Sequence, residues 1–242
     1  MPTSPSIVLL PGNMCDERLW RGGNGAIVEA LSVDASVGNA DLAQDDTIAA
    51  MAARTLAATS GPIVAIGFSM GAIVAVEMWV QVPERVSGLA LLGYNATADL
   101  TERAAQRPRQ QDEARGVGLG RLLAEELKPN YLAKVNRGNT ALLALLLDMG
   151  MHLGPDVFVR QSEALRTRQD RRAALPQVTV PVLLGSGEED LLCPPEWHAL
   201  WASLIPDATL FAVPDAGHML PLEAPHTLAR HLGAWLTAKD LA

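Results

Sequence analysis

Gly67-Phe68-Ser69-Met70-Gly71 stands between the apolar run Pro62-Ile63-Val64-Ala65-Ile66 and the segment Ala72-Ile73-Val74-Ala75-Val76-Glu77-Met78-Trp79. A short β-branched run, a G-x-S-x-G turn and a long apolar helix make a strand–turn–helix unit. Such a turn sets a serine hydroxyl at the carboxyl end of a strand and the amino end of a helix. It needs glycine two residues before and two after the serine, because the strand and helix backbones approach too closely there for a Cβ. The serine itself is commonly held in a strained backbone conformation that its flanking elements over-determine. The pentapeptide alone occurs in many turns; its flanks make it specific.

Working outward, Ile7-Val8-Leu9-Leu10 reads as a first buried strand closed by Pro11-Gly12, with a weaker strand around Ser32 to Val37. A helix is expected from about Thr47 to Ala58 with Asp46 as its N-cap. Ile63–Gly67 is the second strong strand, and Met70 to about Gln81 the helix behind Ser69. That helix is apolar almost all round, with Glu77 and Gln81 as its one polar stripe, so burial in the body is expected. Pro83 ends it. Val86–Leu92, Val180–Leu184 and Thr209–Val213 are further strands. Pro225 opens a final helix running from about His226 to Lys239, a position where its missing N–H costs nothing. Strands alternating with helices point to a mainly parallel α/β sheet of about six strands, covered on both faces.

The rhythm breaks from about Asn95 to Arg172. This stretch has helical periodicity in Leu119–Leu127 and Asn139–Met149 and no convincing strand. The expected organisation is therefore a core of residues 1–94 and 173–242 with a helical insertion, 95–172. The chain's 242 residues allow one α/β domain or two small ones, and a hydrophobic content of 49% is ample for a core.

A formal charge of −8 and a sequence pI near 5.1 argue against nucleic acid and anionic membrane surfaces as partners. The first six residues carry no basic side chain, Ile7–Leu10 is too short for a signal-peptide core, and no uninterrupted apolar run would span a bilayer. Two cysteines, Cys15 and Cys193, do not make a disulfide framework, so free thiols in a cytoplasmic protein are expected.

A serine hydroxyl needs a base to take its proton, and the base needs an acid to fix its tautomer. Among five histidines, His218 in Asp215-Ala216-Gly217-His218 follows the last strand and belongs on a loop at a strand's carboxyl end. His152, His198, His226 and His231 fall on helices or in the insertion and read as ordinary surface or core residues. Asp190, in the segment after the Val180–Leu184 strand, is the candidate acid, with Glu188 and Glu189 as rivals; Asp215 more plausibly shapes the turn before His218. The chain order Ser69, Asp190, His218 is that of the hydrolase version of the doubly wound sheet.

At these residues the chain resembles the α/β-hydrolase fold superfamily, and is similar in particular to small bacterial esterases and carbon–carbon hydrolases with a helical cap. Leu9-Leu10-Pro11-Gly12-Asn13-Met14 with Trp20 matches the family's strand and oxyanion loop, and Gly67–Gly71 its elbow. Gly187, Asp190 and Pro194 match the acid loop, and Gly217-His218-Met219 with Glu223 the histidine loop. The resemblance implies Ser69 as nucleophile, His218 as general base and acid, and Asp190 as its orienting partner. The backbone N–H groups of Met70 and Asn13 would form the oxyanion hole, with Met14 as the second choice to Asn13. The three-layer α/β/α fold would carry residues 95–172 as a cap and require no metal or cofactor.

Three departures stand out: Pro11 replaces the family's histidine, Ala72 stands where a second glycine often follows the elbow, and the family's two N-terminal antiparallel strands have no counterpart. Dinucleotide binding fails on sequence: Gly12 follows a strand but no G-x-G-x-x-G does, and Gly116-x-Gly118-x-Gly120 lies in the insertion with no strand before it. No Walker or H-E-x-x-H motif appears, and serine at the elbow argues against aspartate-dependent dehalogenases and epoxide hydrolases. Hydrolysis of a small to medium ester with a hydrophobic portion is expected, since Met14, Met70 and Met219 sit on the site loops and methionine adapts to many shapes. Cleavage of carbon–carbon, lactone or thioester bonds, perhydrolysis, and ligand reception without turnover use the same scaffold.

Overall fold

The computed structural model describes residues 5–31, 36–127 and 131–241. Six strands, β1 (Ser6–Leu10), β2 (Val37–Asn39), β3 (Ile63–Phe68), β4 (Val86–Leu92), β5 (Val182–Gly187) and β6 (Ala208–Val213), form one sheet in the order β2-β1-β3-β4-β5-β6. Every pairing is parallel. The principal helices are α1 (Gly22–Leu31), α2 (Ile48–Ala57), α3 (Met70–Gln81), α4 (Thr101–Glu113), α5 (Thr140–Arg166), α6 (Pro195–Leu204) and α7 (Pro225–Ala238).

The strands are near-continuous apolar runs because both faces of the sheet are covered. Alternate residues serve alternate faces. Val8, Leu10, Ala65, Leu89 and Leu91 pack with side chains of α2, α3 and α6. Ile7, Leu9, Val64, Ile66, Ala90 and Leu92 pack with those of α1 and α7. The chain passes from β1 to β2 on one side and returns to β3 on the other, so a crevice opens at the carboxyl ends of β1 and β3. Sheets of this kind bind ligands at such a reversal.

The sequence expectations hold for β1, β3, α3, β4 and α7 to within a residue or two. The N-cap of α2 is Thr47, whose Oγ1 accepts the Ala50 N–H at 3.1 Å, rather than Asp46. The weak second strand occupies Val37–Asn39; residues 32–35 of the expected span lie outside the described residues. Strand β5 starts at Val182, after Pro181 with its missing N–H, and runs on to Gly187. Helix α1 was not anticipated because it opens on Gly22-Gly23-Asn24-Gly25, three of which have positive φ.

Among the described residues of 95–172 there are helices and no strand. Helix α5 extends far beyond the expected Asn139–Met149 and breaks at Gly154 (φ 81°, ψ 175°), just before Pro155. Its length and composition would suffice for a membrane span. Here Leu146 and Met149 pack into the α1–α7 core, and Val157 and Phe158 join Met14, Leu119 and Leu122 in a smaller cluster. No disulfide joins Cys15 and Cys193.

Helix α3 is buried along most of its length, as its all-round apolarity predicts. Its one charge, Glu77, is met by Arg171 at 2.6 Å and by the Gln81 amide at 3.3 Å. The helix lies so close to the sheet that a Cβ on Gly71 would collide with the carbonyl of Leu10, and one on Gly67 with the backbone of Gly71 and Ala72. Gly71→Ala is therefore expected to destabilise the protein by about 2 kcal/mol or more in urea unfolding. Gly233→Ala, in α7 with open space around the added methyl, should instead stabilise it by roughly 0.5–1 kcal/mol. Equal effects of the two substitutions would contradict the close packing at Gly71.

Candidate active site

Because all strands run parallel, the loops after β1, β3, β4, β5 and β6 emerge at one end of the sheet. Ser69 follows β3 directly and takes φ 52°, ψ −114°, outside the conformations a serine adopts without strain. The Leu92 carbonyl holds its N–H at 2.7 Å, and its own carbonyl accepts the N–H groups of Ala72 and Ile73 at 3.0 and 3.3 Å. The hydroxyl is thereby fixed between strand and helix.

His218 reaches that hydroxyl from the loop after β6, with Nε2 3.0 Å from Ser69 Oγ. Its Nδ1 lies 2.7 Å from Asp190 Oδ2. Asp190 sits on the loop after β5, and its Oδ1 accepts the N–H groups of Leu192 and Cys193, each at 2.8 Å. The arrangement fixes the tautomer: Nδ1–H donates to the carboxylate and Nε2 accepts from the serine. The imidazole packs against Phe68 (ring centroids 5.1 Å apart) and edge-on to Tyr131 (5.6 Å).

Burial pushes the Asp190 carboxyl up, but the facing His218 and the two loop N–H groups outweigh it and hold its pKa below the ordinary range. The neighbouring Cys193 thiol is pushed up by burial and by Asp190, so it remains protonated and unreactive.

The rival acids are elsewhere. Glu189 accepts the Lys134 N–H at 2.9 Å, Glu188 is exposed, and Asp215 occupies a positive-φ turn position (φ 55°) before His218. The other histidines have ordinary surroundings. His198, fully buried, accepts the Tyr94 N–H at Nε2 (2.9 Å) and is kept neutral by burial. His231 stacks on Phe211 at 4.1 Å, and His152 is exposed.

The expected oxyanion donors are the backbone N–H groups of Met70 and Asn13, with Met14 as the second choice to Asn13. Met70 is the first residue of α3, where an N–H has no intrahelical acceptor. Met14 donates its N–H to Gln161 Oε1 at 2.8 Å, so that group is already engaged. The Asn13 N–H makes no hydrogen bond among the described residues. Of the two candidates on this loop, Asn13 is the one with a donor to offer.

Two residues that sequence reasoning did not assign a supporting role brace these loops. Gln161, 1% exposed on α5, accepts from Met14 N–H and from Asn13 Nδ2 (3.1 Å) and donates to the Leu42 carbonyl (3.1 Å). Glu223 accepts the Gly217 N–H at 3.0 Å with one oxygen, and Ala133 N–H and Asn136 Nδ2 at 2.8 and 3.0 Å with the other. Nothing in the sequence singles out Gln161, a lone glutamine on a mixed helix. Glu223 belongs to the histidine-loop pattern, but its partners in 131–136 were invisible.

Ser69 and His218 open on a cavity of about 310 Å³, at the small end for a ligand site. Its walls are mixed. Ile73, Phe158 and Leu165 supply apolar surface, while Asn95, Arg103 and Arg107 supply polar surface. The expected methionine lining is corrected here: Met70 lines the cavity, but Met14 and Met219 are buried in separate apolar clusters. None of the leucines from 142 to 147 lines it either; several pack into the body.

A model of the alpha/beta hydrolase family matches residues 7–231. The chain belongs to the alpha/beta hydrolase family. Among curated relatives, the hydrolase is similar to the pimeloyl-[acyl-carrier protein] methyl ester esterase of Nitrosomonas europaea, 27% identical over 241 residues that cover 91% of each chain. Among solved structures it is similar to a thermophilic esterase from Thermogutta terrifontis (27% identity, TM-score 0.87, 98% of this chain and 91% of that one). The enol-lactonase from Burkholderia xenovorans LB400 shares the fold at 24% identity, with a TM-score of 0.82 over 97% of this chain and 92% of that one.

Since the folded state lowers the Asp190 pKa, its ionised form contributes stability above the unfolded carboxylate range near pH ~4, and that contribution is lost as pH falls through the lower folded value. Asp190→Asn is therefore expected to be less stable than wild type at pH 7 in urea unfolding, with the gap narrowing as the pH is lowered towards acid. A gap that widens towards acid would contradict this assignment.

Proposed function

We propose that this hydrolase cleaves carboxylic esters of small to medium substrates through an acyl-enzyme, with Ser69, His218 and Asp190 as its catalytic residues and no metal or cofactor. The observation that carries the reading is the unbroken hydrogen-bonded chain from Ser69 Oγ through the His218 ring to Asp190, at the wall of a cavity of substrate size.

In the first half-reaction Ser69 Oγ attacks the ester carbonyl carbon as His218 Nε2 takes the hydroxyl proton. Asp190 holds the ring in register and stabilises the imidazolium that forms. The carbonyl oxygen becomes an oxyanion and receives the N–H groups of Met70 and Asn13; losing one such donor typically costs about 10²–10³ in rate. The tetrahedral species collapses as Nε2–H protonates the departing alkoxide, leaving the acyl group on Ser69. Water then attacks with the same base, and Ser69 leaves with the proton. Residues 95–172 act as a cap that walls the cavity. The named esterases among the relatives support the choice of an oxygen ester.

The test is hydrolysis of short and medium p-nitrophenyl esters, with intact-mass analysis after a fluorophosphonate. Wild type should turn over repeatedly and gain one adduct; Ser69→Ala should do neither. Asp190→Asn is expected to lower kcat by about 10⁴, while Glu189→Gln leaves it near wild type. Full activity in Ser69→Ala would overturn the reading, and activity lost in Glu189→Gln but retained in Asp190→Asn would move the acid. Labelling without turnover would point to a ligand receptor instead.

A further inference from the structure

Three arginines, Arg103, Arg107 and Arg168, line the cavity beside Ser69, in a chain whose net charge is −8. Two of them are occupied. Arg168, with a side chain 5% exposed, meets Asp99 at 2.8 Å and the carbonyls of Thr97, Leu165 and Ala98. Arg107 meets the same Asp99 at 2.6 and 3.3 Å. One carboxylate thus serves two guanidinium groups. Burial pushes the Asp99 carboxyl up, yet the two arginines hold it below its ordinary pKa, so it carries its single charge.

The other acid on the wall, Glu126, is turned to Arg109 at 2.5 Å and to Arg121 at 3.8 Å. Arg103 is left. Half-buried on the first turn of α4, it has no hydrogen bond or ion pair among the described residues. Near it in chain and on the same cavity, Asn95 is 5% exposed. Its Oδ1 accepts the Thr97 N–H and hydroxyl, each at 3.0 Å, and its Nδ2 has no acceptor among the described residues.

A cavity wall with surplus positive charge and donors lacking acceptors is complementary to a group that only accepts hydrogen bonds. A planar guanidinium matches a carboxylate in charge and in fork geometry. Were the substrate wholly apolar, its binding would strip water from Arg103 and Asn95 and leave both unpaired, at a cost in affinity. The apolar side of the cavity, Ile73, Phe158 and Leu165, would then take the carbon chain.

We propose that the substrate is an ester bearing a second, free carboxylate, which Arg103 binds with help from the Asn95 amide. The inference rests on Ser69 as the esterolytic nucleophile but concerns a different part of the cavity. Arg103 acts here as a specificity residue, not a catalytic one.

The test compares kcat/KM for the p-nitrophenyl monoester of glutaric acid with that for p-nitrophenyl pentanoate, esters of similar length that differ in the terminal charge. Wild type should favour the glutarate ester by about tenfold or more, the scale of one charge-assisted hydrogen bond. In Arg103→Gln that ratio should fall towards one through KM, and Arg103→Lys should restore part of it. A wild-type ratio near one, or the same ratio in Arg103→Gln, overturns the inference while leaving esterolysis intact.

If neither ester is hydrolysed, the reading of Ser69 fails separately, and calorimetric titration with glutarate decides the anion site. Wild type should bind glutarate, Arg103→Gln at least about tenfold more weakly, and 1,5-pentanediol should not compete. No binding of glutarate to wild type, or equal binding to both proteins, overturns it.

Discussion

The first turn of α3 is pressed against the end of β1 so closely that the Leu10 carbonyl and the Gly71 backbone leave no space for a side chain. This contact fixes the relative positions of two loops that are far apart in sequence. Ser69 is forced to a positive φ between them, with its N–H bonded to β4 and its carbonyl to α3. The loop after β1 is held alongside, which brings Asn13 to the cavity that Ser69 lines. Parallel strand order then delivers Asp190 and His218 to the same end from β5 and β6. The remaining hydrogen bonds of the site refine positions that this approach sets.

Those refinements come largely from the helical segment between β4 and β5. Gln161 ties the β1 loop to α5, and Glu223 ties the His218 loop to residues 133 and 136. Met219 N–H adds a contact to the Tyr131 carbonyl at 3.3 Å. A buried glutamine with its oxygen and nitrogen both bonded makes a stiff support, because any shift would leave a polar group unpaired. The same segment supplies Arg103 and Arg107 to the cavity wall. It therefore braces the loops that carry Asn13 and His218 and also shapes the cavity in front of Ser69.

Much of this was legible in the sequence wherever a local physical requirement restricts the residue. A strand-to-helix turn needs glycine at 67 and 71, and an apolar run on both sides reveals which turn it is. His218 was distinguished from four other histidines by its place after a strand, whereas Asp190 was separated from its rivals Glu188 and Glu189 only by the family resemblance of its loop. Other features had no such signature. Helix α4 has little apolar periodicity and carries Pro108 inside it, so its polar residues read only as a break in rhythm. Strand β2 is half-exposed at the sheet edge and too short to show alternation. Their place on the site loops suggested that Met14 and Met219 face the substrate, but both are core residues, because nothing local in the sequence tells a loop methionine that lines a cavity from one that packs beneath it. Gln161 meets Met14 across 147 residues, a pairing that no local pattern encodes.

If the chain of hydrogen bonds from Ser69 to Asp190 serves acyl transfer, an acyl-enzyme on Ser69 must form and decay during turnover. Rapid mixing with a p-nitrophenyl ester, acid quenching within the first turnover and peptide mapping by mass spectrometry would locate the transferred group. One acyl group per chain is expected, on the peptide containing Ser69, and it should disappear as turnover is completed. Turnover with no acyl adduct, or an adduct carried by another residue, would contradict it.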